Sequence, residues 1–101
     1  LINMITKGQK KHLRSLAHDS KPIIWIGQHG LSSNVLEELN GALDHHELVK
    51  IKLRVGEREE RDKLVADISE KTEAILVKKI GNTAIFFRRN EEHPVITLPK
   101  K

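Results

Sequence analysis

From Leu48 to Val55 the chain alternates with a period of two: Val49, Ile51, Leu53 and Val55 are apolar, while Lys50, Lys52 and Arg54 between them are cationic. Side chains along a strand point by turns to opposite faces, so this segment predicts a strand with one greasy face and one cationic face. Elsewhere the apolar positions recur at helical spacing. Leu13, Leu16 and Ala17 do so behind Thr6 and Gln9, a pair spaced as a capping box, and predict a first helix from Lys7 to His18. Val35, Leu36, Leu39, Ala42 and Leu43 form the apolar stripe of a second helix, with Ser32 as its N-cap and Glu37, Gly41 and Asp44 on its other face. A third helix, Arg58 to Lys71, buries Leu64, Val65 and Ile68 beneath mixed charges that read as a solvated face.

Lys21-Pro22 ends the first helix, because the residue before proline is pushed out of the α region. Ile23 to Ile26, apolar and rich in β-branched residues, predicts a buried first strand. Ala74 to Ile80 and Thr83 to Arg88 read as two more strands joined at Gly81-Asn82, a tight-hairpin signal. Beyond Arg89 the tail is polar and punctuated by Pro94 and Pro99, which predicts a loose segment over residues 90–101. The order α-β-α-β-α-β-β predicts an α/β (α+β) two-layer fold with a mixed four-stranded sheet, its parallel strands joined by right-handed crossovers. The second and third helices are expected on one face, with the face bearing Lys50, Lys52 and Arg54 left open. Trp25, inside an apolar run, is expected in the core, with stacking on a base as the alternative if it faces the open side. Phe86 and Phe87 are adjacent on a strand, so one is expected buried and the other available.

At 101 residues the chain is read as one domain, residues 1–101. Lys and Arg number 18 against 14 acids, giving +4 and a pI near 9.5, a balance that favours a polyanionic partner. There is no cysteine, hence no disulfide and no cysteine-ligated zinc. No stretch approaches the ~20 apolar residues of a membrane span and no secretory segment precedes the first charges, so a soluble cytoplasmic protein without a membrane partner is expected. Met4 is a candidate natural start, which makes Leu1, Ile2 and Asn3 a remnant of upstream sequence. No unexplained apolar patch asks for a second copy, so the expected state is a monomer.

Two features point to nucleic acid. Lys7, Lys11, Arg14 and His18 fall on one stripe of the first helix with Lys10 beside them, and no acid interrupts them. Gly27, Gln28, His29 and Gly30 stand between a strand and a helix start. Glycines without a Cβ let main-chain N–H groups come close to a phosphate, and the following helix points its positive dipole end the same way. Gln28 and His29 at the loop tip can hydrogen-bond phosphate or sugar oxygens. Lys50, Lys52 and Arg54, or Arg88 and Arg89, would extend the surface. His45, His46 and Glu47 cannot assemble a metal site, since consecutive residues near a helix end diverge and no partner completes an H-E-x-x-H helix; the histidines are expected at the last helical carbonyls. No nucleophile elbow, Walker motif, dinucleotide fingerprint or RNP1 motif occurs, so neither an enzyme, a cofactor nor a small-molecule substrate is expected.

Taken in order, Lys11, Leu13-Arg14, Leu16-Ala17-His18, Lys21-Pro22, Ile26-Gly27-x-x-Gly30-Leu31, Leu43-x-x-His46-Glu47-Leu48-Val49-Lys50-Ile51, Ile80-Gly81-Asn82 and Leu98-Pro99 form a pattern. It resembles the CRM domain (chloroplast RNA splicing and ribosome maturation), and specifically the stand-alone bacterial YhbY-like proteins, over nearly the whole chain. The resemblance implies a fold similar to the C-terminal domain of translation initiation factor three, RNA binding, and association with large ribosomal subunit precursors. It places the family's loop at Gly27–Gly30 and its basic helix at Lys7, Lys11, Arg14 and His18. Many relatives carry Lys or Arg directly after the first loop glycine. This chain has Gln28, which shifts the loop's contribution toward backbone N–H groups. A protein-interaction factor docking on ribosomal proteins, with incidental RNA contact, is the alternative.

Overall fold

A computed structural model describes residues 5–100, so Met4 and the residues before it lie outside the described part. The elements follow in the expected order: α1 (Lys7–His18), β1 (Ile24–Ile26), α2 (Ser33–His46), β2 (Leu48–Leu53), α3 (Arg58–Thr72), β3 (Ile75–Ile80) and β4 (Thr83–Phe87). Thr6 and Gln9 close a reciprocal capping box on α1, and the Ser32 hydroxyl accepts from the Val35 amide at the start of α2. Helices α2 and α3 both end on a glutamate with positive φ, Glu47 at 63° and Glu73 at 60°. Each donates its backbone N–H to a carbonyl of the last turn, Leu43 and Ser69 respectively.

The sheet order is β1-β2-β4-β3, with β1 parallel to β2 and the other neighbours antiparallel. Alternation sorts the strand residues into two cores. Val49, Ile51, Leu53, Ala84 and Phe86 join Ile24 and Ile26 beneath Leu39 and Leu43 of α2 and Leu64, Val65 and Ile68 of α3. This puts α2 and α3 together on one face, as the sequence predicts, while the expected two-layer arrangement gains a helix on the opposite face. On the other face Ile85, Phe87 and Val77 pack against Leu13 and Ala17 of α1, with Leu48, Ile96 and Leu98 at the margin.

That second core corrects three expectations. The face of β2 that carries Lys50 and Lys52 is not open along its length, because α1 covers its first half. Phe86 and Phe87 are both buried, one in each core. The tail is tied down and not loose: the Glu47 carboxylate accepts from the amides of Asn90, Val95 and Ile96, and the Gln9 amide donates to the Pro99 carbonyl. Trp25, expected in the core, is 51% exposed. It occupies the strand position between Ile24 and Ile26, which alternation sends to the α1 side.

Candidate nucleic-acid interface

Helix α1 crosses β2, β4 and β3, so its two flanks look toward opposite ends of the strands. At about 100° per residue, Gln9 falls on one side of the buried Leu13–Ala17 line, while Lys10, Arg14, Lys7, His18 and Lys11 follow one another round the other side. Gln9 holds Pro99, and the tail is anchored on Glu47 at the start of β2. The cationic flank therefore looks the other way, toward the end of the sheet where β1 runs into Gly27–Gly30. Lys7, Lys10, Lys11, Arg14 and His18 are all exposed, and none enters a salt bridge among the described residues.

The loop leaves β1 as a turn in which the Gly30 amide donates to the Gly27 carbonyl at 3.0 Å and the Ser32 amide to the Gly30 carbonyl at 3.1 Å. Gly30 has φ +69°, a conformation that side-chain-bearing residues rarely take. The Gly30 N–H is thus committed within the turn, whereas the amides of Gln28 and His29 find no acceptor among the described residues. Both residues are exposed, and the N-terminus of α2 follows directly. A cleft of about 480 Å³ separates the loop from α3 on the other side. Glu60, Lys63 and Asp67 line it, so this side of the loop meets charges of both signs.

Past α1 the sheet face is uncovered. The strand registers align Trp25 with Lys52, Lys52 with Thr83 and Thr83 with Ile80, giving one transverse row on the α1 side. Trp25 and Ile80, at its ends, are 51% and 56% exposed. Lys52 is half-buried in the row and Arg54, two residues on, is exposed. These two cations stay on the surface as expected.

Three other cations named from the sequence are engaged inside the fold. Lys50 Nζ donates to the carbonyls of Ala17 at 3.2 Å and Ser20 at 3.1 Å, capping the C-terminal end of α1 where the helix dipole is negative. Arg88 spans α2 and α3, donating to Asn40 Oδ1, the Asn40 and Thr72 carbonyls and Asp44 Oδ1. Arg89 donates to both Glu47 oxygens at 3.2 Å and to the Ile96 carbonyl at 2.7 Å. Arg88 and Arg89 sit at the tail end of the sheet, away from the loop, so they do not extend the cationic flank.

Glu47 is the residue that sequence reasoning missed. Its side chain is fully buried. Burial pushes its carboxyl up, yet the amides of Ile96, Asn90 and Val95 and the Arg89 guanidinium outweigh this and hold it below the ordinary range. The available signal was an acid between a helix end and a buried strand, opposite an Arg-Arg-Asn run that follows the last strand. His45 and His46 meet edge to face at 4.6 Å, and no hydrogen bond ties their rings to the last carbonyls of α2 among the described residues.

Residues 5–88 match the CRS1 / YhbY (CRM) domain. An RNA-binding protein of Haemophilus influenzae is 39% identical over 100 residues, covering 99% of this chain and all of that one. A probable RNA-binding protein of Pseudomonas aeruginosa is 38% identical over 86 residues, 85% of this chain and 83% of the relative. The solution structure of a hypothetical Staphylococcus aureus protein, put forward as RNA-binding, superposes with a TM-score of 0.80 at 34% identity, over 95% of this chain and all of the other.

Proposed function

The chain belongs to the CRS1 / YhbY (CRM) domain family, and from that premise we propose that it is a non-catalytic RNA-binding module. The cationic flank of α1 and the Gly27–Gly30 loop grip phosphates. What supports this reading is that the α1 cations are exposed and enter no salt bridge, and the amides of Gln28 and His29 have no acceptor, among the described residues. Fixed positive charge supplies sequence-independent affinity, and amides beside a helix N-terminus supply a directional phosphate contact. Lys52 and Arg54 continue the surface along the open sheet.

The partner we propose is ribosomal RNA in a precursor of the large subunit, in the cytoplasm, bound by a monomer. Engagement of about five phosphates gives log K against log[salt] a slope of about −3.5, at about −0.7 per phosphate on a single strand. Lys11→Glu combined with Arg14→Glu should weaken binding across unrelated RNA sequences and flatten the slope by about 1.4. A double variant that binds structured ribosomal RNA like the unaltered protein would refute the assignment to α1. Gradient sedimentation of cell extract tests the target: the protein should travel with large-subunit precursors. Co-sedimentation that survives the double variant but is lost on altering the exposed faces of α2 and α3 would favour docking on ribosomal proteins.

A further inference from the structure

We propose that Trp25 is a stacking platform for an unpaired base of the bound RNA, so that the module prefers RNA with an extrahelical nucleotide over a fully paired helix. The inference deepens the RNA-binding reading and rests on it. Trp25 lies on the sheet face that α1 leaves uncovered, 51% exposed, although a tryptophan in a three-residue apolar strand would normally fill a core. Its row neighbour is Lys52, and Arg54 follows, exposed, at the strand's end.

An aromatic face rimmed by lysine and arginine suits a base attached to a phosphate chain. The core of a protein–protein interface is depleted of lysine, whereas base stacking beside a cationic phosphate-tracking groove uses it. Spacing agrees. Trp25 precedes Gly27 by two residues, about 7 Å of extended backbone, comparable to the offset between a base and a phosphate of the same or the next nucleotide. A phosphate on the loop amides therefore leaves an adjoining base within reach of the indole. A continuous A-form helix keeps its base faces stacked against one another and can offer none to Trp25, whereas a bulge or loop can.

The experiment uses the intact chain and two RNA hairpins, one with a single bulged adenosine and one identical but for the bulge. Trp25 is the only tryptophan and the chain has no tyrosine, so the emission reports on this side chain alone. Fluorescence anisotropy of end-labelled hairpins reports binding independently. The expected result is quenching of Trp25 emission by the bulged hairpin and little change with the paired one. Trp25→Leu should lower affinity for the bulged hairpin about tenfold, leave the paired hairpin within about twofold, and be largely rescued by Trp25→Phe. Binding of the bulged hairpin without a change in emission would overturn the stacking proposal while leaving the RNA reading intact. Equal quenching by both hairpins would overturn it as well. No anisotropy change with either hairpin would remove the RNA reading and the platform together.

Discussion

Replacing Glu47 by glutamine removes a buried charge while keeping the side chain's shape. Oε1 accepts from the Val95 amide at 2.7 Å and the Ile96 amide at 2.8 Å, Oε2 accepts from the Asn90 amide at 2.7 Å, and Arg89 donates to both oxygens. A glutamine carbonyl can keep Val95 and Ile96. Its NH₂ then faces the Asn90 amide and Arg89, donor against donor. A buried donor left without an acceptor costs about 1–3 kcal/mol, and breaking a buried ion pair costs about 3–5 kcal/mol. Because Arg89 retains 23% side-chain exposure and can turn to water, the low end applies, and the expected loss is about 3 kcal/mol. Urea unfolding with an unchanged slope should report it, and the melting temperature should fall by about 12 °C or more for a domain of this size. Hydrogen exchange at Val95 and Ile96 should speed up. Acid should narrow the gap between the two proteins. The folded carboxyl titrates below its ordinary value of 4.5, so its contribution is complete above that value and is lost as pH falls through the folded one. A loss under about 1 kcal/mol with the tail amides still protected would refute the view that one carboxylate organises the tail.

Gly27→Ala adds a Cβ into open space and should leave stability within about 0.5 kcal/mol, so weaker RNA binding in that variant isolates close approach of phosphate to the loop. Gly30→Ala meets φ +69° and should cost about 1–2 kcal/mol in unfolding experiments. Lys50→Met uncaps α1 and should lower stability by about 1–2 kcal/mol while RNA affinity, measured by anisotropy, stays within about twofold; a loss as large as that of the Lys11 and Arg14 double variant would return Lys50 to the binding surface. Arg88→Met should likewise destabilise by about 2–4 kcal/mol without changing the salt dependence of RNA binding.

The element order and most helix boundaries were legible because each rests on local chemistry. Thr6 with Gln9 and Ser32 announce helix starts, and Gly81-Asn82 closes a hairpin whose turn glycine has φ +56°. The destination of α1 was not legible. Its moment says that Leu13 and Ala17 are buried, but not on which side of the sheet, and the alternating lysines of β2 argued for leaving that side open. Burial of Phe87, Ile85 and Val77 demanded a cover that the cationic positions concealed. Trp25 escaped for a related reason: β1 is an edge strand beyond the reach of α1, and a three-residue run shows no period by which to assign its faces.

Formal charge overstated the cationic surface in one place and understated its focus in another. Lys50 is held by helix carbonyls, Arg88 and Arg89 by Asp44 and Glu47, and Lys79 by Asp62, each a cation on a strand or just beyond one with its partner supplied by a neighbouring element. Strand residues have neighbouring elements close by, and these four cations each meet a partner there, whereas Lys52 and Lys78 on the same sheet meet none among the described residues. A cation on the outward flank of a helix packed by its opposite stripe meets only solvent. Several acids, meanwhile, lie on α2 and α3, two of them, Glu60 and Asp67, in the cleft with Lys63. A modest excess of +4 thereby leaves an uninterrupted group of exposed cations, unpaired among the described residues, on the outward flank of α1. The field of such a flank orients an approaching polyanion before any contact forms, and under the proposed reading the loop amides and Trp25 then supply the directional contacts.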